Sequence, residues 1–203
     1  GANIGDCLYE DISGPNGEPD GVIDAYDQTV LGSGLPKVNF GLSTHMEYKG
    51  FDLNISTYGV LNYHVSDDIY NSLNSCYGYG NKEVGMLDAN RWSEDGTYLS
   101  SVPRTYAANN ATLAWNDLFS SRKIQNAAYW KIANVELGYN FPDKWFGGYV
   151  SGVRLYVSAQ NLYTFTGYHG YNVDYAGGTF TPGYNFCSFP SARTFMAGLH
   201  FTF

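Results

Sequence analysis

The chain has 203 residues and combines few charges with many aromatic and glycine residues. Charged residues make up 15% of it and aromatic residues 17%, with 24 Gly, 19 Tyr and a formal net charge of -8. Average proteins carry about 25% charged residues and about 7% Gly, and this composition argues against long disordered stretches. The acidic balance argues against a nucleic-acid partner, because phosphate binding requires clustered Lys and Arg.

The sequence contains no run of 18 or more apolar residues, so it predicts no membrane-spanning helix, whereas the strands of a membrane β-barrel remain compatible with it. The first residues lack an initiator Met and the basic and apolar regions of a signal peptide. The three cysteines, Cys7, Cys76 and Cys187, fit neither a disulfide scaffold nor a zinc site. One disulfide pair, such as Cys76 with Cys187, plus a free thiol stays open.

Alternation of apolar and polar residues with a period of two predicts β-strands, because successive side chains of a strand point to opposite faces. The first run begins at Val38, and the Lys49–Gly50 pair that follows it predicts a tight hairpin turn. A weaker strand is predicted near the N-terminus. The predicted strands are 5–11 (the weak one), 38–48, 51–58, 130–141, 152–161 and 194–203.

Strict alternation gives each of these strands one apolar face. In the third strong strand it places Val135 with Ala133 and assigns Ile132 to the opposite, polar face. In the last strand one face carries Phe195, Ala197, Leu199, Phe201 and Phe203, and the other carries Thr194, Met196, Gly198, His200 and Thr202.

The connections between the predicted strands alternate between short and long. Short ones fall at 49–50 and 142–151, and long ones at 13–36, 63–128 and 162–192. In an up-and-down antiparallel sheet this alternation gathers the long loops at one rim, as in outer-membrane barrels. A soluble β-sandwich accounts for the strand alternation equally well, because a second sheet would cover its apolar stripe.

A succession of short segments resembles the SusC-like branch of TonB-dependent outer-membrane transporters, which occurs in Bacteroidetes-type bacteria. The match runs through nearly the whole chain, and its most specific part is the run from Arg154 to Leu162 followed by Thr164–Thr166. The other matching segments are Asp20–Asp24, Leu31–Gly32, Pro36, Phe40–Leu42, Tyr48–Leu53, Asn90–Trp92, Val102–Arg104, Tyr129–Asn134, Leu137–Tyr139 and Arg193–Phe195.

The resemblance implies an all-β fold: an antiparallel, up-and-down transmembrane β-barrel segment with long extracellular loops. The chain would supply the last five or six strands of a 22-stranded plugged barrel. Residues 1–203 would be the C-terminal portion of the receptor, with the plug and N-terminal regions lying outside them. The terminal aromatic Phe203 resembles an outer-membrane assembly signal.

The resemblance also implies function and partners. A transporter of this kind imports oligosaccharides or peptides across the outer membrane, in contact with its lipid, and works with a SusD-like surface lipoprotein. Energy would come from TonB–ExbB–ExbD, acting through the missing N-terminal part. The acidic segment Asp11–Asp20 departs from the family's compact pattern by several extra residues.

Loop aromatics are the candidate substrate-binding residues, because aromatic rings can stack on sugars or grip peptides. The candidates are Trp92, Trp115, Tyr168, Tyr171 and Tyr175. The competing interpretation is structural, since aromatic residues also form the interfacial girdles of membrane barrels and pack loops together. The residues alone favour the structural interpretation.

No cofactor is expected. The aspartates of the first long loop could offer oxygens to Ca²⁺, but the spacing of a calcium-binding loop is missing, which favours a solvated acidic turn. His45 and His200 lie on predicted lumen-facing sides without accompanying ligands and are interpreted as lining residues. The sequence has no recognisable catalytic motif, so we do not expect an enzyme. The aspartates in question are Asp11, Asp20, Asp24 and Asp27.

The importer hypothesis has one rival from another class, a soluble β-sandwich module that binds carbohydrates through exposed aromatics. An outward apolar stripe on every strand and a terminal Phe203 favour the importer. The sequence does not name a substrate.

Overall fold

The structure is a computed structural model that describes residues 4–75, 80–84, 92, 102–104, 113–146, 150–174 and 178–203. The chain divides into two compact units. One comprises 1–32 and 66–125, and the other comprises 33–65 and 126–203. Among the described residues, no helix combines the length and the apolar character needed to cross a bilayer.

The second unit is built on a five-stranded antiparallel sheet, the main sheet. Its strands lie in the order β1, β2, β5, β6 and β8. Their bounds are β1 Val38–Tyr48, β2 Phe51–Leu61, β5 Tyr129–Phe141, β6 Gly152–Thr166 and β8 Thr194–Thr202. All four neighbouring pairs are antiparallel, so the strands follow one another up and down as the alternation predicted.

Apart from one 3₁₀ turn in the short connection after β5, the remaining elements lie in the long connections. Three short strands form a second sheet in the order β4, β3 and β7. These elements are β3 His64–Asp67, α1 Asp68–Leu73, α2 Leu113–Asn116, β4 Gln125–Asn126 and β7 Tyr184–Asn185, with 3₁₀ turns at Ala25–Asp27, Ser121–Lys123 and Asp143–Trp145.

The first hairpin of the main sheet has the predicted tight turn. Tyr48 pairs with Phe51, and both turn residues have positive φ, 49° at Lys49 and 86° at Gly50. Two left-handed residues suit the right-handed twist of the flanking strands. We call this end of the main-sheet strands the turn end, and the opposite end, where the connections 62–128 and 167–193 leave and rejoin the sheet, the loop end.

A β-bulge corrects the predicted faces of β5. Asn134 pairs with Ser56 and Ile132 with Thr57, which leaves Ala133 as an extra residue. The extra residue reverses the alternation, so Ile132 lies on the same face as Val135 rather than on the polar face. For the same reason Lys131 lies on the polar face, opposite Tyr58.

Three predicted strand extents are also corrected. β2 continues to Leu61, three residues beyond the predicted Tyr58. β6 continues to Thr166, five residues beyond the predicted Asn161, whose φ of 53° interrupts the regular strand geometry. The weak strand predicted over 5–11 is absent, because its described residues adopt turn and irregular backbone. The described part of the chain therefore contributes five long strands to the main sheet.

One face of the main sheet is apolar and largely exposed. Phe195 is 68% exposed, Leu199 58% and Val157 50%. Aromatic rings pair at both ends of this face: Phe51 with Tyr139 at the turn end, centroids 4.6 Å apart, and Trp130 with Phe165 at the loop end, 5.2 Å apart. Aliphatic residues lie between these two aromatic bands, including Leu53, Ile55, Val135, Leu137, Leu155 and Val157.

The buried core of this unit lies at the loop end. Its larger members are Tyr63, Tyr129 and Tyr168, and Val65, which belongs to the same cluster, is fully buried. The Tyr168 hydroxyl accepts a hydrogen bond of 2.8 Å from the buried Asn185 amide. The segment that follows β6 is thereby attached to the rest of the loop end.

Candidate functional site

The polar face of the main sheet carries an ion-pair network across three strands. The Arg154 guanidinium donates to both carboxylate oxygens of Asp52, with Nε 3.0 Å from Oδ1, and to Glu136 Oε1 at 2.7 Å. The Asn140 amide also donates to Asp52, at 3.0 Å. Asp52 is only 5% exposed. A buried carboxylate needs an opposite charge and hydrogen bonds in place of water, and Arg154 and Asn140 supply them.

Two glycines make room for this network. A Cβ at Gly138 would lie 2.5 Å from the Asp52 carboxylate and 2.6 Å from the Arg154 guanidinium. A Cβ at Gly198 would lie 2.6 Å from the Tyr156 ring, which itself lies 5.2 Å from the Arg154 guanidinium carbon. Small residues on this face therefore let larger polar side chains lie flat across neighbouring strands.

A second charged cluster, the loop anchor, lies at the loop end of the same face and consists of Lys131, Asp174 and Tyr58. The Lys131 ammonium pairs with the Asp174 carboxylate, and the Tyr58 hydroxyl donates to that carboxylate at 3.4 Å. Lys131 is 3% exposed. Because a buried ammonium requires a partner, this pair holds the segment after β6 over the polar face.

Two cavities flank the loop anchor. One, of about 320 Å³, is lined by Lys131, β6 residues and the segment around Asp174. The other, of about 400 Å³, is lined by Leu35, Pro36, Tyr63, Tyr129 and Pro182 among others. The first is the more polar of the two, and it lies on the polar face.

Comparison with known proteins gives relatives along nearly the whole chain. TonB-dependent receptor P3 of Formosa agariphila is 31% identical over 204 residues, which cover 97% of this chain and 19% of that protein. TonB-dependent receptor SusC of Bacteroides thetaiotaomicron is 26% identical over 208 residues, covering 97% and 19%. Over nearly its whole length the chain is similar to one part of the TonB-dependent receptors, SusC among them. It spans about a fifth of the length of these relatives. No protein-family model matches the chain.

Solved structures share the fold of this chain. The RagAB peptide transporter superposes with a TM-score of 0.75 at 23% identity, covering 95% of this chain and 20% of that chain. The RagAB peptide importer in its closed-closed state gives 0.73 at 24%, covering 94% and 20%. The barrel-segment prediction is therefore confirmed against the β-sandwich alternative.

The predicted aromatic residues are in different environments. Tyr168 is 7% exposed and part of the core, whereas Tyr171 is 65% exposed and lines the 320 Å³ cavity. Trp115 is half-buried, donates to the Cys7 carbonyl at 2.8 Å and packs edge-on against Tyr9 at 5.2 Å. Tyr175 lies outside the described residues.

Trp92 packs against the backbone of the first segment. A Cβ at Gly5 would lie 2.4 Å from the Trp92 ring, and the Trp92 amide donates to the Val102 carbonyl at 3.3 Å. Trp92 and Trp115 thus tie residues 5–9 to the long connection inside the first unit. These contacts are structural, and substrate binding by the two tryptophans stays a prediction.

The aspartates of the acidic loop bind their own backbone. Asp27 accepts from the amides of Asp24, Ile12 and Ser13, at 2.8, 2.8 and 3.2 Å. These hydrogen bonds, the one from Asp24 first, lower the pKa of Asp27. The other carboxylates accept similarly: Asp11 from Gly21, Asp20 from Val22 and Asp24 from Tyr26. The described residues contain no group of three or more ligands suited to a metal ion.

The remaining predicted residues lie where alternation places them. His45 lies on the polar face, 2.6 Å from Asn54 Oδ1 and 2.9 Å from Glu47 Oε1, and His200 lies on that face opposite Arg154. Phe203 follows β8 and is 91% exposed. Cys7 and Cys187 are free thiols, and Cys76 lies outside the described residues.

Sequence reasoning missed both charged clusters of the polar face. The charges of Asp52, Glu136 and Arg154 at polar positions of three predicted strands were an available signal. No comparable signal existed for the loop anchor, because Lys131 faces Tyr58 only as a result of the bulge at Ala133.

Proposed function

We propose that this chain forms part of the wall of an outer-membrane, TonB-dependent importer. Its apolar face would contact lipid and its polar face would line the lumen. The observation that carries the proposal is the exposed apolar face bounded by aromatic bands at both ends. Transmembrane β-barrels have this arrangement, with aromatic girdles at the two interfaces.

The spacing of the aromatic bands fits a bilayer. Phe51 pairs with Tyr139 in the turn-end band, and Gly59 pairs with Trp130 in the loop-end band. The eight-residue step from Phe51 to Gly59 rises roughly 26 Å along the strand. With a strand tilt of ~40° this becomes roughly 20 Å across the membrane, near the apolar band of about 25 Å in outer-membrane barrels.

The loop end would then face outward, because outer-membrane barrels place long loops outside and short turns in the periplasm. Its loops would form part of a vestibule for oligosaccharides or peptides. The name of the RagAB peptide importer supports a peptide as the substrate. The similarity to SusC supports a SusD-like lipoprotein as the partner. TonB–ExbB–ExbD would act through regions outside this chain.

Loop aromatics would contribute to substrate contact in this vestibule. Tyr171 is the described candidate with the most accessible ring, and Trp92, Trp115 and Tyr175 remain further candidates. Tyr168 would act indirectly, by supporting the segment that carries Tyr171. We assign no catalytic residue, in keeping with relatives that are named as receptors.

Fractionation of native cells tests the proposal, with an antibody against residues 162–192 and mass spectrometry of the detected band. We expect a detergent-requiring outer-membrane species far larger than 22.5 kDa that copurifies with a lipoprotein. Deletion of its gene should abolish uptake of the matching oligosaccharide or peptide. A soluble species near 22.5 kDa would overturn the proposal.

A further inference from the structure

The 320 Å³ cavity beside the loop anchor is large enough to hold part of a ligand, since binding pockets begin near 300 Å³. Its lining comes from separate parts of the chain: Lys131 of β5, Thr164 of β6, Tyr171 and Asp174 of the following segment, and Arg193 just before β8. All of these residues belong to the same compact unit.

The charges around the cavity leave one cation uncompensated. Lys131 and Asp174 pair with each other and neutralise one another. Arg193 is exposed and has no carboxylate partner among the residues that the structure describes. In a chain with a net charge of -8, the cavity therefore presents a localised positive charge.

Hydroxyl groups line the same cavity as Arg193. Thr164 is half-buried on the polar face, and within the described part of the chain its hydroxyl makes no hydrogen bond. Tyr171 is 65% exposed. A guanidinium presents a planar fork that matches a carboxylate in bidentate fashion, and neighbouring hydroxyls can bind the rest of a polar ligand.

We propose that this cavity binds a carboxylate-bearing group of the imported substrate, with Arg193 as the carboxylate-binding residue and Thr164 and Tyr171 as flanking contacts. This inference rests on the proposed importer function and narrows it to acidic substrates. The carboxylate has two possible sources, a uronic acid of a glycan or the C-terminus of a peptide.

Direct titration of the full-length receptor, purified from outer membranes in detergent, tests the inference. The probes are trigalacturonate and its methyl ester, and one short peptide with a free or an amidated C-terminus. We expect one of the two acids to bind at least about tenfold more tightly than its neutral counterpart, as loss of a charge-assisted bidentate contact implies. The probe pair whose acid binds more tightly than its neutral counterpart identifies the source of the carboxylate, a uronic acid or a peptide C-terminus.

Variants locate the contact. Arg193→Gln should remove the preference for the acid, Thr164→Val should weaken binding of both members of a pair, and Lys144→Gln should change nothing. Lys144 is a matched control, because it is an exposed cation that follows β5 at the turn end. A heat-sensitive gel shift verifies assembly of each variant.

Equal binding of acids and neutral counterparts by the unmodified receptor would overturn the inference, even if Arg193→Gln failed to assemble. An acid preference that survives Arg193→Gln would overturn the assignment of Arg193. Uptake by cells distinguishes a failure of this inference from a failure of the proposed function. If cells import neutral substrates and show no preference for acids, the importer proposal stands and only this carboxylate site is rejected.

Discussion

A lysine at Leu199 tests which face of the main sheet meets lipid. Leu199 lies on the apolar face of β8, four residues from Phe195 and four from Phe203, and it is 58% exposed. With a rise of about 3.3 Å per residue and a tilt of ~40°, it lies roughly 10 Å from each aromatic residue along the membrane normal. That distance places it near the middle of the apolar band.

We expect Leu199→Lys to reduce the folding free energy of the receptor by about 2–4 kcal/mol, the cost of a lysine near the bilayer midplane. At 1.4 kcal/mol per factor of ten, the ratio of folded to unfolded protein falls roughly 30- to 700-fold. The measurements are the heat-sensitive gel shift of the full-length receptor in outer membranes and its urea midpoint in lipid vesicles.

Met196→Lys is the matched control on the same strand. Met196 is 43% exposed and lies on the polar face opposite Ser158. Because a lumen-facing lysine keeps access to water, this variant should assemble at near-normal levels. If the two lysine variants assembled equally well, the assignment of the apolar face to lipid would be refuted.

Asp52→Ala should destabilise the receptor by about 3 kcal/mol, because the Arg154 guanidinium loses its main partner; urea titration of the double variant with Arg154→Ala should recover part of that loss. Tyr168→Phe should cost about 1–2 kcal/mol in the same titration, since a buried amide loses its acceptor. The lowered pKa of Asp27 means that its stabilisation of the acidic loop is complete above the ordinary value of 3.8 and is lost as the pH falls through the lowered pKa. Amide-exchange protection factors in that loop, which are corrected for the intrinsic pH dependence of exchange, should therefore fall only below about pH 4, and a loss of protection that begins near neutral pH would contradict this. Treatment with EDTA should leave the melting temperature unchanged, because the loop carboxylates already accept backbone amides; a clear decrease would indicate a metal.

The strands could be predicted where alternate side chains lie on an apolar face and a polar face, because this arrangement leaves alternating apolar and polar residues in the sequence. Between Val38 and Tyr48 the alternation gave the correct bounds, and the Lys49–Gly50 pair gave the turn. Prediction failed at the loop end, where Asn161 adopts a left-handed conformation within β6 and Ala133 is bulged from β5. Both are local departures from regular strand geometry that a period-two pattern does not contain.

The candidate site was less predictable than the fold, because its contacts depend on register. Three strands must be aligned before Asp52 meets Arg154, 102 residues away. Lys131 and Asp174 are 43 residues apart, and their contact needs both the bulge and the return of the segment after β6. Among the loop aromatics, sequence alone could not separate the buried Tyr168 from the exposed Tyr171.

The bulge at Ala133 also determines which changes of chain length β5 can tolerate. Deleting Ala133 would leave Ile132 and Asn134 adjacent and on opposite faces, as they are now, so the four residues before the bulge would keep their faces. One further inserted residue without a second bulge would instead exchange those faces. Lys131 would then point away from Asp174 and into the apolar side, while Trp130 would leave the aromatic band for the polar side. This strand end should therefore tolerate the loss of the bulged residue better than the gain of another.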